Sequence, residues 1–440
     1  MDLSASKTSG GGRVRWLIIW LIFLVSAVSY LDRTNISIAA QDIRTEFALS
    51  QVQLGTVLTA FILGYALAQP FAGRLADRFG GHRVIGWGIV WWSVLTVVTA
   101  SVASNFAGAF VALIVVRALL GLGESVIYPA SNRLVANWIP AHERGLANGL
   151  IFAGVGFGAG IAPPLITMIM LSHGWRAAFW ASAVIGMVVL VIWMWLARER
   201  PDRHHGITAQ ERAYIETSLS DSARATSTGG GRLLRWRDII SNRQMQLLTL
   251  AYFCFGYVVF IFFTWFFTYL STVKGLDLKS SGFYGMLPFI AMAIACAFGG
   301  WGSDKLAARF GKRAGRCWPA AFGMGMSAIC VALATQVGDA RLAAVVLALG
   351  SGSIYLSQSA FWTLSADYGG ASAGSVSGLM NMGCQLGGAA VAQITPIIAE
   401  SYGWTASFLV TAVAAMIGAI CWLMIDPHAK IEETSELTAG

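Results

Sequence analysis

Charge is the scarcest commodity in this chain. Of 440 residues only 12% are Asp, Glu, Lys or Arg, against 56% hydrophobic, and the mean hydropathy is +0.64. That leaves too little polar surface to coat a soluble globule of this length. Cysteine is sparse as well: Cys254, Cys296, Cys317, Cys330, Cys384 and Cys421 include no CxxC pair, which argues against disulfide or zinc frameworks and for small apolar packing. No HExxH, GxSxG, Walker or paired-histidine signature appears, so the sequence offers neither an enzyme's machinery nor a cofactor or metal site. The net charge of +8 comes without a basic stripe interleaved with aromatics, which speaks against nucleic acid as a partner. The first 15 residues are polar and cationic and lack a short apolar core with a small-residue cleavage site, so the first apolar run is expected to be retained.

What the chain has in abundance is long apolar runs. Each is about 18 to 25 residues, enough for a helix to cross a hydrocarbon core of roughly 30 Å. They fall near 16–40, 52–72, 84–101, 105–132, 144–171 and 175–197, then 243–272, 282–301, 317–336, 341–366, 372–399 and 404–425. This pattern predicts an all-α membrane protein of twelve transmembrane helices in two sets of six. The polar stretch 198–242, Ser/Thr/Gly-rich at its centre, reads as the linker between an N-terminal bundle (16–197) and a C-terminal bundle (243–425), with tails at 1–15 and 426–440. With both termini cytoplasmic, the inside segments hold 23 of the 30 Lys and Arg, against five outside and two within the membrane. That asymmetry predicts a multi-pass protein of the cell membrane oriented in this way, its positive charge facing an anionic leaflet.

The two halves echo one another. Gly145, Gly149, Gly154, Gly158, Gly174, Trp175 and Phe179 meet Gly374, Gly378, Gly383, Gly387, Gly403, Trp404 and Phe408 at a constant offset of 229 residues. A second echo pairs Gly73, Asp77, Arg78, Gly80 and Arg83 after span two with Gly300, Asp304, Lys305, Gly311 and Arg313 after span eight. Glycine admits close helix contact, and the acidic and basic residues beside it are expected to form ion pairs that break and reform as two bundles rock. A simple positive-inside anchor would account for either copy alone; the paired occurrence favours a gate.

Four ionisable residues lie deep in apolar spans: Asp32 and Arg33 in span one, Arg117 and Glu124 in span four. A charge at the bilayer centre costs roughly 2.5 to 3.5 kcal/mol on insertion scales, so such groups face water, one another or a charged ligand. Arg117 and Glu124, seven residues apart, share a helix face about 10 Å apart along the axis. Arg33 suits a substrate carboxylate, because guanidinium is a planar two-pronged donor that keeps its charge. Tyr30, three residues before Arg33 on the same face, can add a phenolic hydrogen bond, although a buried aromatic lining is the bland reading of a lone membrane tyrosine. Asp32 and Glu124 are the expected proton carriers, with Arg117 tuning them. The bland alternative is that Asp32–Arg117 or Glu124–Arg33 are static ion pairs locking helices together. The deep C-terminal spans seven, ten and eleven carry no charge except Asp367 near one end.

The segments YLDRTNISIA at 30–39, GYALAQPFAGRLADRFGGHR at 64–83 and RALLGLGESVIYPASNRLVANWIPAHERGLANG at 117–149, with FFTWFFTYL at 262–270 and the region from Trp362 to Gln385, resemble the major facilitator superfamily and, within it, the anion:cation symporters. The resemblance covers nearly the whole chain. It implies two pseudo-symmetric six-helix bundles around a central cavity, alternating access by a functional monomer, and proton-coupled uptake of a small organic carboxylate. It also implies that Tyr65 in span two joins Tyr30 as a donor to carboxylate or hydroxyl oxygens, and that Gln358, Ser359, Trp362, Asn381 and Gln385 face substrate, recognising hydroxyls or a ring while the N-terminal half handles charge. A sugar acid (hexonate, hexuronate or aldarate) is the first expectation; an aromatic carboxylate of the phthalate or benzoate kind, an anion exchanger or a sodium symporter are the alternatives. In span seven the family often shows a proline where Phe267 stands, so that helix is expected to bend differently here.

Overall fold

The computed structural model describes residues 13–224, 233–266, 269–276, 278–429 and 431, and all regular structure in them is helical. Phe267, the linker centre and most of both tails lie outside the described residues. The crossings begin with α1 (Val14–Ile38), followed by a short α2 (Ala40–Glu46), then α3 (Gln51–Phe79) and α4 (Gly81–Ser101). The fourth crossing is split into α5 (Ala109–Glu124) and α6 (Ile127–Trp138), and α7 (Arg144–Leu196) makes two passes. After α8 (Ala209–Arg224) and α9 (Trp236–Ser241) come α10 (Arg243–Thr264), α11 (Leu278–Phe310) and α12 (Trp318–Gln336). The tenth crossing is split into α13 (Ala340–Tyr355) and α14 (Gln358–Gly369), and α15 (Ala373–Met424) again makes two passes.

Eleven stretches are long and apolar enough to cross a membrane, and one of them, Ala340–Thr395, runs 56 residues. At 1.5 Å per residue that is about 84 Å, far beyond one hydrocarbon thickness. The chain turns within it at Gly370, whose φ of +49° is glycine territory, so the stretch holds two crossings and the total is twelve. Segments 14–196 and 243–424 hold six each.

The internal repeat is visible in backbone angles. α7 breaks at Gly174 (φ 78°, ψ 170°) and α15 at Gly403 (φ 83°, ψ 163°), positions separated by the same offset of 229 residues. Only a residue without Cβ turns the chain there cheaply, and a Trp follows each of these glycines. The predicted motif segments after spans two and eight prove to be helical: α3 runs on to Phe79 and α11 to Phe310. The linker is likewise not wholly flexible, since α8 docks on the first bundle. Buried Glu211 accepts the backbone N–H of Val14 (3.3 Å) and Arg15 (3.1 Å), and Tyr214 donates to Glu143. The Glu211 carboxylate thereby satisfies N–H groups that the start of α1 leaves unpaired.

Candidate functional site

The two split crossings meet, Tyr128 of α6 packing 5.8 Å from Trp362 of α14. Pro129 explains the first split: it has no N–H for the carbonyl of Ser125, and the helix stops at Glu124 and restarts at Ile127. No proline stands at the second. There the backbone tightens into three-residue turns, Leu356 N–H to Ser353 and Ser357 N–H to Ile354, while the Ser357 hydroxyl bonds back to the Ile354 carbonyl. Glu124 therefore closes one half-helix, and Gln358 and Ser359 open another.

Glu124 is wholly buried. Its Oε2 accepts from Arg33 Nη2 at 3.1 Å and from the Ser29 hydroxyl at 3.2 Å, while Oε1 has no hydrogen-bond partner. Arg33 is the partly exposed charged member, its side chain 15% exposed. Its guanidinium lies over the rings of Tyr30 (4.6 Å), Phe61 (4.9 Å) and Tyr65 (4.6 Å), and its Nε is unpartnered. Arg117 sits 4.8 Å from the centre of the same Phe61 ring, with its Nε also unpartnered. Asp32 departs from expectation. Its Oδ2 accepts from Thr96 at 2.7 Å, its Oδ1 has no partner, and among the described residues it forms no ion pair, so an Asp32–Arg117 pair is not present whereas Arg33–Glu124 is. Asp32 and Arg33 are adjacent on α1 and so point to different neighbours, Asp32 toward α4 and Arg33 toward α3 and α5.

The C-terminal half is neutral, and two of its residues are already engaged. Tyr252, which the sequence reading did not single out, accepts from Trp362 Nε1 at 2.9 Å and from Gln358 Nε2 at 3.0 Å. The indole N–H is thus spent within the protein, and Trp362 presents rings instead, packing 5.0 Å from Phe152 and 5.8 Å from Tyr128 of the other bundle. Unpartnered buried polar atoms remain at Tyr65 (OH), Tyr128 (OH), Gln69 (both amide atoms), Ser359 (Oγ) and Asn381 (Nδ2). Gln385 is buried on the same helix as Asn381, one turn on. Phe61, Ser29, Thr96 and Tyr252 were missed because each is an ordinary membrane residue whose role appears when another helix brings a charge or an amide to it. Ser29, four residues before Arg33, was the one that helical spacing made findable.

The cross-bundle hydrogen bonds cluster at one end, where the repeated motifs lie. Asp77 accepts the N–H groups of Gly374 (2.9 Å) and Ser375 (2.7 Å), and Asp304 accepts those of Gly145 (3.1 Å) and Leu146 (2.6 Å), the same arrangement in mirrored halves. Each carboxylate thus meets the positive end of a helix in the opposite bundle. The close approach is set by glycine: a Cβ on Gly73 would lie 2.0 Å from the Gly374 carbonyl oxygen, and one on Gly300 2.3 Å from that of Gly145. The expected pairing with motif bases is corrected here. Asp304 pairs with Arg316 (2.6 Å), not with Lys305, which sits over the Trp301 ring at 4.0 Å; Arg78 lies over Phe79, and Arg83 is exposed. Neighbours one apart on a helix do not face each other, so Asp77 cannot use Arg78. Arg144–Asp367 (2.6 Å), Asn132–Ser365 (3.0 Å) and Asn148–Thr363 (3.4 Å) continue the seam. This end is closed.

The family described as Major Facilitator Superfamily matches residues 22–392. Among curated proteins, the chain is 31% identical to the "Probable sulfoacetate transporter SauU" of Cupriavidus necator over 96% of both chains, and 32% identical to the "Probable galactarate/D-glucarate transporter GudP" of Bacillus subtilis over 69% of this chain and 68% of that one. Among solved structures it superposes on the proton:xylose symporter XylE bound to 6-bromo-6-deoxy-D-glucose with a TM-score of 0.76 at 16% identity, covering 94% of this chain and 96% of that one, a likeness of fold.

Proposed function

The chain belongs to the Major Facilitator Superfamily, and from that premise we propose that it carries a small organic carboxylate into the cell with protons, as a monomer of the cell membrane with both termini cytoplasmic. One observation carries the proposal: Arg33, whose side chain is partly exposed, is held by a buried Glu124 that still has a free carboxylate oxygen. A substrate carboxylate and Glu124 compete for the same prongs. When substrate takes Arg33, Glu124 loses its cation while staying buried, and a proton restores its neutrality. Binding of anion and proton are then cooperative, as symport requires. Asp32, buried with one oxygen unpartnered, is the second proton carrier, and Arg117 supplies the standing positive charge between them.

A sugar acid fits best, because the remaining unpartnered polar atoms at Tyr65, Gln69, Ser359 and Asn381 are hydroxyl and amide groups suited to hydroxyls. The relative named for galactarate and D-glucarate supports that class, and the one named for sulfoacetate supports a small anion. The spent indole N–H and the three rings around Arg33 favour an aromatic carboxylate as the second reading. Asp77, Asp304 and the glycine crossings are the gate on the cytoplasmic side, with Arg78, Arg83 and Lys305 on its rim. Proteoliposome uptake under imposed pH and sodium gradients tests the coupling: accumulation driven by an inward proton gradient is expected, and accumulation driven by sodium alone overturns it. A thermal-shift panel of aldarates, hexuronates, hexonates, benzoate and phthalate tests the substrate class.

A further inference from the structure

On the outer face of the second bundle, beside its motif-bearing end, a groove of about 370 Å³ runs between α10 and the first half of α15. Its α10 wall is formed by Gln246, Leu250 and Phe253, and its α15 wall by Leu379, Met382 and Leu386. It is open to the surface, since Leu250 is 47% exposed and Leu386 38%. Within these apolar walls the Thr249 hydroxyl is buried without a partner.

Two arginines stand one helical turn before lining residues of the groove. Arg243 stands three residues before Gln246, seven before Leu250 and ten before Phe253, at the head of the helical stripe that forms the wall. Arg237 stands three residues before Ile240, the lining residue that α9 contributes. Both arginines are exposed, and among the described residues neither forms an ion pair, whereas Arg235 is taken by Asp238. The short α9 is also fixed in place. Arg74 donates to the Leu234 carbonyl at 2.7 Å, Leu234 N–H donates to Ser372 at 2.9 Å, and Gln246 closes the α9–α10 turn onto the Ile240 carbonyl at 3.0 Å.

A long apolar slot with two unpaired guanidinium groups at its interfacial end matches one kind of molecule. We propose that the groove binds one anionic phospholipid, an acyl chain lying between α10 and α15 and the phosphate held by Arg237 and Arg243. The chain supplies the apolar contact, and each arginine near an anionic headgroup adds attraction that a zwitterionic lipid does not return. Met382 and Leu379 share helix α15 with Asn381 and with Gly374, the partner of Asp77, so the bound lipid braces the helix that carries part of the candidate site and gate.

The test uses the full chain in detergent micelles, with dioleoyl phosphatidylglycerol and dioleoyl phosphatidylethanolamine as probes. Adduct formation is followed by native mass spectrometry and the unfolding temperature is followed in parallel. One phosphatidylglycerol per chain is expected, retained in preference to phosphatidylethanolamine and bound about thirtyfold more weakly by R237Q/R243Q. Met382→Trp, which fills the slot and leaves the arginines alone, is expected to abolish the adduct; Leu386→Phe serves in its place should the indole prevent folding. Equal retention of the two lipids by the natural protein, or an adduct unchanged in both the arginine and the groove-filling variants, overturns the site in favour of ordinary boundary lipid. None of these readings depends on transport.

Discussion

Arg33 has three rings under or beside its guanidinium and a carboxylate on one prong, an environment built for a flat cation. Lysine would keep the charge and lose the fork, the stacking and the geometry of the pair with Glu124. Arg33→Lys is therefore expected to fold normally and to lose substrate affinity by about tenfold to a hundredfold, the worth of a charge-assisted hydrogen bond of roughly 1.5–3 kcal/mol; isothermal titration with the best substrate of the panel checks it. This part of the site was legible in the sequence because a charge in an apolar span has few explanations. Its neutral partners were not. Thr96 and Tyr252 matter because α4 delivers a hydroxyl to Asp32 and α10 delivers a phenol to Trp362 and Gln358, and no spacing along the chain encodes contacts made 64 or 110 residues apart.

At the scale of helices the sequence carried more. The 229-residue offset foretold that Gly174 and Gly403 would behave alike, and both break their helices in the same region of φ/ψ space. The splits in crossings four and ten were less legible. Pro129 signals the first, while the second depends on serine side chains competing for backbone carbonyls, a weak signal in any single window. The glycine crossings lead to a direct expectation. The would-be Cβ of Gly374 lies 2.6 Å from the Gly73 carbonyl oxygen, so Gly374→Val holds the motif-bearing end apart. Spin labels at exposed Arg83 and Arg309, on opposite bundles, are expected to report a longer distance in the variant than in the natural protein, with uptake lost.

At the opposite end, Glu46 on α2 accepts from Trp175 at 2.8 Å and from Arg176, which also donates to the carbonyls of Ala100 and Val102. Burial by itself would raise the Glu46 carboxyl, but the hydrogen bonds from Arg176 and Trp175 outweigh it and hold it below the ordinary range. A carboxyl depressed in the folded state adds stability above its unfolded pKa and loses it as pH falls through the folded one. Glu46→Gln is thus expected to lower the unfolding temperature at neutral pH, the difference shrinking to nothing as pH is taken below about 4. The group is about a third exposed, so the effect is that of a surface pair, small and sensitive to salt.

The whole molecule divides its labour unequally across a nearly symmetric frame. Both bundles contribute an aspartate, a glycine crossing and a helix N-terminus to the closed end, so the seam is held in the same way from either side. Only the first bundle contributes deep charge: with Asp32 and Glu124 ionised, the cluster with Arg33 and Arg117 sums to zero, and it becomes doubly positive when both carboxyls are protonated. A carrier whose empty site is neutral returns across the bilayer without an uncompensated charge, which is the step that an exchanger never needs. Asp32→Asn and Glu124→Gln mimic the protonated state and so leave a positive site that binds anion and will not return empty. Each variant is expected to keep homoexchange in proteoliposomes preloaded with substrate, while net uptake driven by a proton gradient falls to the level of empty liposomes. Undiminished concentrative uptake by both variants would remove these carboxylates from the coupling and leave Arg33–Glu124 as a static link between helices.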